Sequence, residues 1–199
     1  MTERRGRPRS FDRDAALRCA VEVFWGRGYT ATSVSDLTEA MGITPPSLYT
    51  AFGSKRALFL EAVDRYQETE GAAVTAPLTE GGGARATVAA VLSAAADAYG
   101  DPAHPPGCLV ITAAANCGPD EADVQEDLRR RRAETTAALA RCIAAGQEAG
   151  DVSAAADPRS VAVYYSAVIQ GMSQQACDGA SRAELHAVAD TAMAAWPSG

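Results

Sequence analysis

Alanine occupies 44 of the 199 positions, and this bias narrows the possible folds more than any other feature. Alanine gives up no side-chain entropy in a helix and is depleted from strands. Aromatic residues make up only 6% and β-branched runs are few, so little is present that suits a pleated, half-buried surface. The chain is therefore expected to be all-α and soluble, with a length that suits one or two domains. Its basic residues are 17 Arg and one Lys (Lys55), and it has a single Asn (Asn116), a skew that GC-rich coding produces without any functional cause.

Several classes are excluded early. The longest stretches without a formal charge, Pro102–Pro119 and Ser160–Cys177, are about 18 residues each. They are broken by Pro, Gly, His and Asn in the first and by Ser and three Gln in the second, so neither reads as a membrane span. The start, Met1-Thr-Glu-Arg-Arg-Gly-Arg-Pro-Arg-Ser10, lacks the apolar core of a signal peptide, and a cytoplasmic location is expected. Five cysteines without CxxC spacing fit a reducing compartment. With two histidines, His104 and His186, and no Cys/His cluster, no metal site and no cofactor are expected.

The net charge of −7 is unevenly spread. Residues 1–66 hold 10 basic against 8 acidic side chains, whereas 67–199 hold 8 against 17. The first ten residues alone carry Arg4, Arg5, Arg7 and Arg9 against Glu3. A basic end on an acidic body suggests a small nucleic-acid module joined to something else.

Periodicity locates that module. Leu17, Ala20, Val21 and Phe24 form one stripe of a helix over about Asp12–Arg27, stopped by Gly26 and Gly28. Ser33 is an N-cap for a second helix carrying Val34, Leu37 and Met41, and Gly42 suits its C′ position. Thr44 caps a third, with Pro45 at N1, where the missing N–H is harmless. Leu48 and Phe52 face inward on it, leaving Ser47, Tyr49 and Thr50 outward. A polar, small-residue helix tip after a tight Gly turn is what a helix-turn-helix needs to enter the major groove. A fourth helix runs from Ser54 to about Glu70, burying Phe59, Ala62, Val63 and Tyr66. Lys55 and Arg56 occupy its first turn, where a phosphate would turn an unfavourable dipole contact into a favourable one.

The stretch Thr32-Ser-Val-Ser-Asp-Leu-Thr-Glu-Ala-Met-Gly-Ile-Thr-Pro-Pro-Ser-Leu-Tyr-Thr-Ala-Phe-Gly-Ser-Lys-Arg-Ala-Leu-Phe59, preceded by Ala20-Val-Glu-Val-Phe-Trp-Gly-Arg-Gly-Tyr29, resembles the TetR family of bacterial transcriptional regulators. Gly42, Leu48, Tyr49, Phe52, Lys55 and Leu58 occupy motif positions, and the resemblance covers roughly residues 10–70. It implies that Thr44, Pro45, Ser47, Tyr49 and Thr50 face DNA and that Thr32, Ser33 and Lys55 grip phosphates. Many members carry His or an aromatic before the motif Phe; Ala51 here removes that contact. The third helix also lacks Arg, Asn and Gln for bidentate base pairing. Arg5-Gly-Arg7-Pro-Arg9 looks like an AT-hook core able to enter a narrow A·T minor groove, against the plainer reading of a basic tail. The layout expected is a basic arm (1–9), a helix-turn-helix domain (10–70, with the motif at about 33–52) and a helical ligand-binding and dimerisation domain (71–199), about nine helices in total.

Beyond residue 70 the reading rests on pattern. Gly71–Gly83 reads as a flexible segment. Helices are expected over about Ala84–Tyr99, Cys108–Asn116 and Asp120–Ala149, separated by a Pro-rich break at 101–107. Arg129–Arg132 reads as a solvated face rather than a DNA patch, because Glu126–Arg130, Asp127–Arg131 and Arg130–Glu134 are i, i+4 pairs. Asp157 and Pro158 open the penultimate helix, and Ser181 with Glu184 makes a capping box for the last. The penultimate helix is apolar around most of its circumference, so one side needs a partner, and the last carries one apolar stripe. Val161, Val168, Met172, Leu185, Val188, Met193 and Trp196 are the candidates for a two-fold homodimer interface.

The resemblance also implies a small-molecule effector, with Tyr66, Tyr99, Cys108, Thr112, Asn116, Tyr165 and Gln170 as pocket candidates; each Tyr could equally be a core residue. The leading function is a dimeric regulator of double-stranded DNA with a palindromic operator, a repressor released by an inducer. A thiol sensor using Cys108, Cys117 or Cys142 is the alternative. An enzyme is disfavoured, since no paired carboxylates, phosphate loop or metal spacing is present.

Overall fold

The computed structural model describes residues 12–114 and 117–198. They form eleven α-helices and one 3₁₀ turn, with no strand among them. The arm with Arg5, Arg7 and Arg9, and Asn116, lie outside the described residues.

Helix α1 (Arg13–Arg27) starts where the Asp12 carboxylate accepts from the Ala15 N–H at 3.0 Å. It buries the expected stripe, Leu17, Ala20, Val21 and Phe24. Gly26 lies inside it, and Gly28 alone ends it, at φ 78 and ψ 170, a conformation essentially restricted to glycine. Helix α2 (Val34–Met41) carries a full capping box: Ser33 accepts from the Asp36 N–H, and Asp36 accepts from the Ser33 N–H. Gly42 takes the left-handed conformation, φ 65 and ψ 35, and turns the chain into α3 (Pro45–Phe52), which Thr44 caps. Helix α4 (Lys55–Glu68), capped by Ser54, packs along α1. Leu37, Leu48 and Leu58 are wholly buried among these four helices. Phe24 and Phe59 meet edge to face at 5.0 Å, and Tyr29 joins the same cluster 4.8 Å from Phe59.

The segment expected to be flexible holds two single-turn helices, α5 (Ala72–Thr75) and α6 (Pro77–Glu80), which raises the helix count above nine. Both lie against the next helix, α7 (Ala84–Tyr99), and Val74 is buried there. Packing therefore overrides the local signal of the flanking glycines; turns at Gly71 and Ala76 and the stretch 81–83 are what is left without helix. The expected Cys108–Asn116 helix shrinks to α8 (Leu109–Thr112). Pro119–Glu121 forms a 3₁₀ turn, so the long helix α9 begins at Ala122 and ends at Glu148. Helices α10 (Pro158–Cys177) and α11 (Arg182–Met193) start at the expected caps. Helix α7 packs on α9, α10 and α11, and α9 lies along α10.

The first four helices are fastened to the rest by α8 and its surroundings. Helix α8 contacts α1, α4, α9 and α10. The Tyr29 N–H donates to the Ala113 carbonyl at 2.7 Å, and Thr30 Oγ1 donates to Glu121 at 2.6 Å. Arg56 of α4 pairs with Asp123 of α9, and Arg131 of α9 reaches Asp64 of α4 at 2.6 Å.

A glycine comparison tests this joint. Gly42 has no atom near a hypothetical Cβ, so Gly42→Ala should cost only the left-handed backbone, about 1–2 kcal/mol. Gly28 has the less tolerant backbone, and its Cβ would lie 3.2 Å from the Ala113 oxygen. Gly28→Ala should therefore destabilise more than Gly42→Ala in urea denaturation.

Candidate nucleic-acid interface and effector cavity

Thr44, Pro45, Ser47, Tyr49 and Thr50 are all exposed on α3, and Tyr49 is its large exposed side chain, at 48%. The hydroxyls are held locally: Thr44 Oγ1 and Ser47 Oγ are 3.0 Å apart, and Thr50 donates to the Pro46 carbonyl at 2.8 Å. The helix tip is thus a small, rigid, uncharged surface. Ser33 is exposed at the α2 cap. Thr32 is different: it is buried, and its hydroxyl donates to the Gly28 carbonyl at 2.6 Å, so it closes the α1–α2 turn.

Charge on this part of the molecule is largely committed. Arg13 pairs with Glu61, Arg18 with Asp14, Arg27 with Asp36, Arg56 with Asp123 and Arg65 with Asp14. Lys55 has no carboxylate partner among the described residues; its ammonium sits 4.2 Å from the centroid of the Tyr29 ring. Burial there lowers the Lys55 pKa below the ordinary lysine value. A phosphate at the α4 N-terminus would meet an oriented cation and the free N–H groups of the first turn. Arg56, read from the sequence as a second phosphate ligand, is turned toward α9.

A cavity of about 80 Å³ opens between α4, α7, α8, α9 and α10, and reaches about 700 Å³ when its mouth to solvent is included. Tyr66, Tyr99, Cys108 and Gln170 line it, as the sequence suggested. Thr112 is not among its walls; its hydroxyl donates to the Cys108 carbonyl at 3.0 Å. Tyr165 donates to the Ala192 carbonyl at 3.3 Å and sits in the core beside Trp196, with its ionisation pushed up to about 12 by burial. Tyr66 and Tyr99 share this lining with the Cys108 thiol, and burial raises both tyrosine pKa values. Desolvation also pushes the Cys108, Cys117 and Cys142 thiols up, which keeps them protonated and weakly nucleophilic.

The sequence reading missed Arg132. Two of the four consecutive arginines form the expected solvated face: Arg129 binds Glu126 at 2.6 Å and Arg130 spans Asp127 and Glu134. The Arg131 side chain is only 11% exposed and spans Asp127 and Asp64, between α9 and α4. Glu126 serves Arg129 rather than the expected Arg130. Arg132 instead lines the cavity and donates to the Val110 carbonyl at 2.7 Å. Its spacing gave the signal, since Arg132 lies four residues after Leu128 and seven before Leu139, both wholly buried.

On the last two helices, Met172 and Leu185 are wholly buried in the chain's own core, and Trp196 is 7% exposed, with Nε1 donating to the Asp151 carbonyl at 3.2 Å. Val161, Val168 and Met193 are half-buried. The exposed apolar residues of this face are Val163 at 49%, Tyr164 at 43% and Val188 at 39%.

A family model described as "Bacterial regulatory proteins, tetR family" matches residues 16–62, and one described as "Tetracyclin repressor-like, C-terminal domain" matches 84–195. The chain belongs to the TetR family. It is 36% identical over 194 residues to the HTH-type transcriptional repressor ComR of Escherichia coli (strain K12), covering 97% of this chain and 92% of ComR. It is also 34% identical over 119 residues to the HTH-type transcriptional repressor BdcR of the same organism, covering 60% of each chain. Among solved structures, a cysteine mutant of the TetR family regulator CifR, complexed with 26-bp double-strand operator DNA, superposes with a TM-score of 0.91. That match is 41% identical and covers 96% of this chain and all of that one. This TetR-family chain is accordingly a helix-turn-helix transcriptional regulator. No helix among its described residues is long and apolar enough to cross a membrane.

Lys55→Gln should weaken DNA binding across all sequences. The slope of log affinity against log salt should become shallower by about one per half-site, the signature of one lost phosphate contact. Fluorescence anisotropy across a salt series measures both.

Proposed function

We propose that this TetR-family regulator is a repressor that holds a palindromic operator as a two-fold dimer and releases it when a small molecule fills the cavity beside α8. The observation that carries the reading is an exposed, uncharged α3 tip set by the Gly42 turn, within a chain whose whole length follows that of operator-bound CifR. Residues 10–70 would hold DNA and 71–199 would dimerise and bind the effector. The basic arm at 1–9 would add minor-groove or phosphate contacts. An operator-binding protein works beside the chromosome, so the location proposed is the bacterial cytoplasm.

The dimer reading is supported by the face of α10 and α11. Val163, Tyr164, Ala167 and Gly171 on α10, with Ala187 and Val188 on α11, form an exposed, mostly small and apolar surface. Pairing it with its symmetry mate would make an isologous four-helix contact. Two recognition helices about 34–36 Å apart would then meet adjacent major grooves. A ligand that fits only a conformation with the wrong spacing lowers DNA affinity by its differential binding energy.

The test is binding to the DNA immediately upstream of the protein's own coding region against scrambled DNA. A preference of about 10³-fold or more supports a self-regulating repressor. Equal binding to both moves the operator elsewhere or removes the sequence-reading role, which an unbiased selection of DNA sites then decides. Separately, Val163→Asp with Val188→Asp should convert the dimer to monomer in light scattering and abolish operator preference with the fold retained. A variant that stays dimeric would move the interface elsewhere.

A further inference from the structure

We propose that the cavity is an anion site and that its effector is a small organic carboxylate with a compact apolar body, seated on Arg132. The proposal deepens the reading above, which left the effector's chemistry open.

Among the described residues, Arg132 is the single charged side chain lining the cavity. It has no carboxylate within ion-pair distance among the described residues, while its three neighbours in sequence all do. Among the described residues its guanidinium makes one hydrogen bond, from Nη1 to the neutral Val110 carbonyl. The guanidinium carries five N–H donors in a planar fork, so an edge remains for two parallel bonds to a carboxylate. Half-burying a cation without a counter-ion is costly unless something completes it. Desolvation, with a smaller contribution from Arg129, lowers the Arg132 pKa, as expected for a charge lacking its partner.

The other walls define the rest of the ligand. Val74, Val91, Ile111 and Ile169 present apolar surface, and the Thr136 and Ser166 hydroxyls, 2.8 Å apart, satisfy each other. Gln170 is at the exposed side. The cavity, about 80 Å³ and open to solvent on one side, suits a small head group, with any longer part in the mouth. Filling it has a direct consequence. The guanidinium that would hold the carboxylate also holds Val110 of α8, and the Ala113 carbonyl just after α8 holds the Tyr29 amide of the α1–α2 turn. A ligand that pulls Arg132 or pushes α8 therefore acts on the seat of the DNA-binding helices.

Titration calorimetry on the full-length protein tests the proposal with butyrate, hexanoate and benzoate against butyramide, hexanamide and benzamide. At least one acid should bind about tenfold or more tighter than its amide, the difference a charge-assisted bond supplies. Arg132→Gln should remove that preference, Arg132→Lys should retain part of it, and Arg129→Gln should leave it unchanged. The acid–amide comparison on the unaltered protein needs no variant, so a misfolded Arg132→Gln protein would not shield the proposal. Amides binding as tightly as acids, no acid binding at all, or a folded Arg132→Gln protein with unchanged affinity would each overturn it. Operator release is scored separately. A neutral compound that frees DNA while acids are ignored overturns the anion site and leaves the repressor reading intact. Acids that bind through Arg132 without loosening the operator support the site and overturn the release mechanism.

Discussion

The Tyr29 amide bonds the Ala113 carbonyl at 2.7 Å, and Gly28 lies so near that carbonyl that no larger residue fits there without strain. The coupling of the two halves of the chain depends on this seat. It joins backbone to backbone, so it fixes the position of the α1–α2 turn irrespective of side-chain rotamers. The segment carrying Ala113 is itself pinned at its other end, where the Cys108 N–H donates to Ser173 Oγ at 2.9 Å. Cys108 also lines the cavity together with Tyr66 on α4 and Tyr99 on α7. Helix α8 has only four residues between these anchors, too short to be stable alone, so its position is set wholly by what it touches. A small element held by contacts from both halves is well placed to pass a displacement from cavity to helix-turn-helix.

The ion pairs extend the same joint. Arg56 would be a phosphate ligand by position, but it is committed to Asp123, and Arg131 ties α9 back to Asp64. The exposed Arg56–Asp123 pair is worth little, about 0–1 kcal/mol. The interest of both pairs lies in geometry: each joins α4 to α9 and resists rotation of one against the other. What remains for DNA on the described surface of α1–α4 is one lysine, the helix N-termini and an uncharged α3 tip. A protein of net charge −7 with so few free cations has little non-specific affinity to draw on from its body, so fit of the two recognition helices must carry much of the binding. A regulator built this way is sensitive to small changes in their spacing.

Much of the architecture could be read from residues because local chemistry and packing agree. Ser33, Thr44, Asp157 and Ser181 all cap the helices expected of them, and Gly42 takes the left-handed turn. The failures occur where tertiary contact overrules the local signal. Residues 71–83 look loose because glycine flanks them, yet Val74 finds an apolar seat and its neighbours coil around it. Thr32 matches a phosphate-contacting position by resemblance, yet its hydroxyl closes a turn. Tyr165 resembles a pocket residue, yet the cavity lies on another side of α10 and the ring packs in the core.

The arginine run shows the limit of pattern most plainly. Four consecutive residues on a helix sweep about 300° at 100° per residue, so they cannot all share one face. Pairing rules account for any of them that meets a carboxylate four residues away, and they make the run look like ordinary solvated surface. Only the phase of the buried leucines tells which one faces the cavity. Arg132 falls on the Leu128–Leu139 stripe, at the one stretch of α9 where that stripe faces α8 and a void instead of close-packed side chains. The position was legible from spacing, but its meaning was not, because a sequence does not show that the facing surface leaves room. The charge tolerated there is what distinguishes the cavity from a packing defect: an apolar residue on that stripe would close the core more cheaply, and arginine keeps it open, polar at one end and in contact with the element that seats the DNA-binding helices.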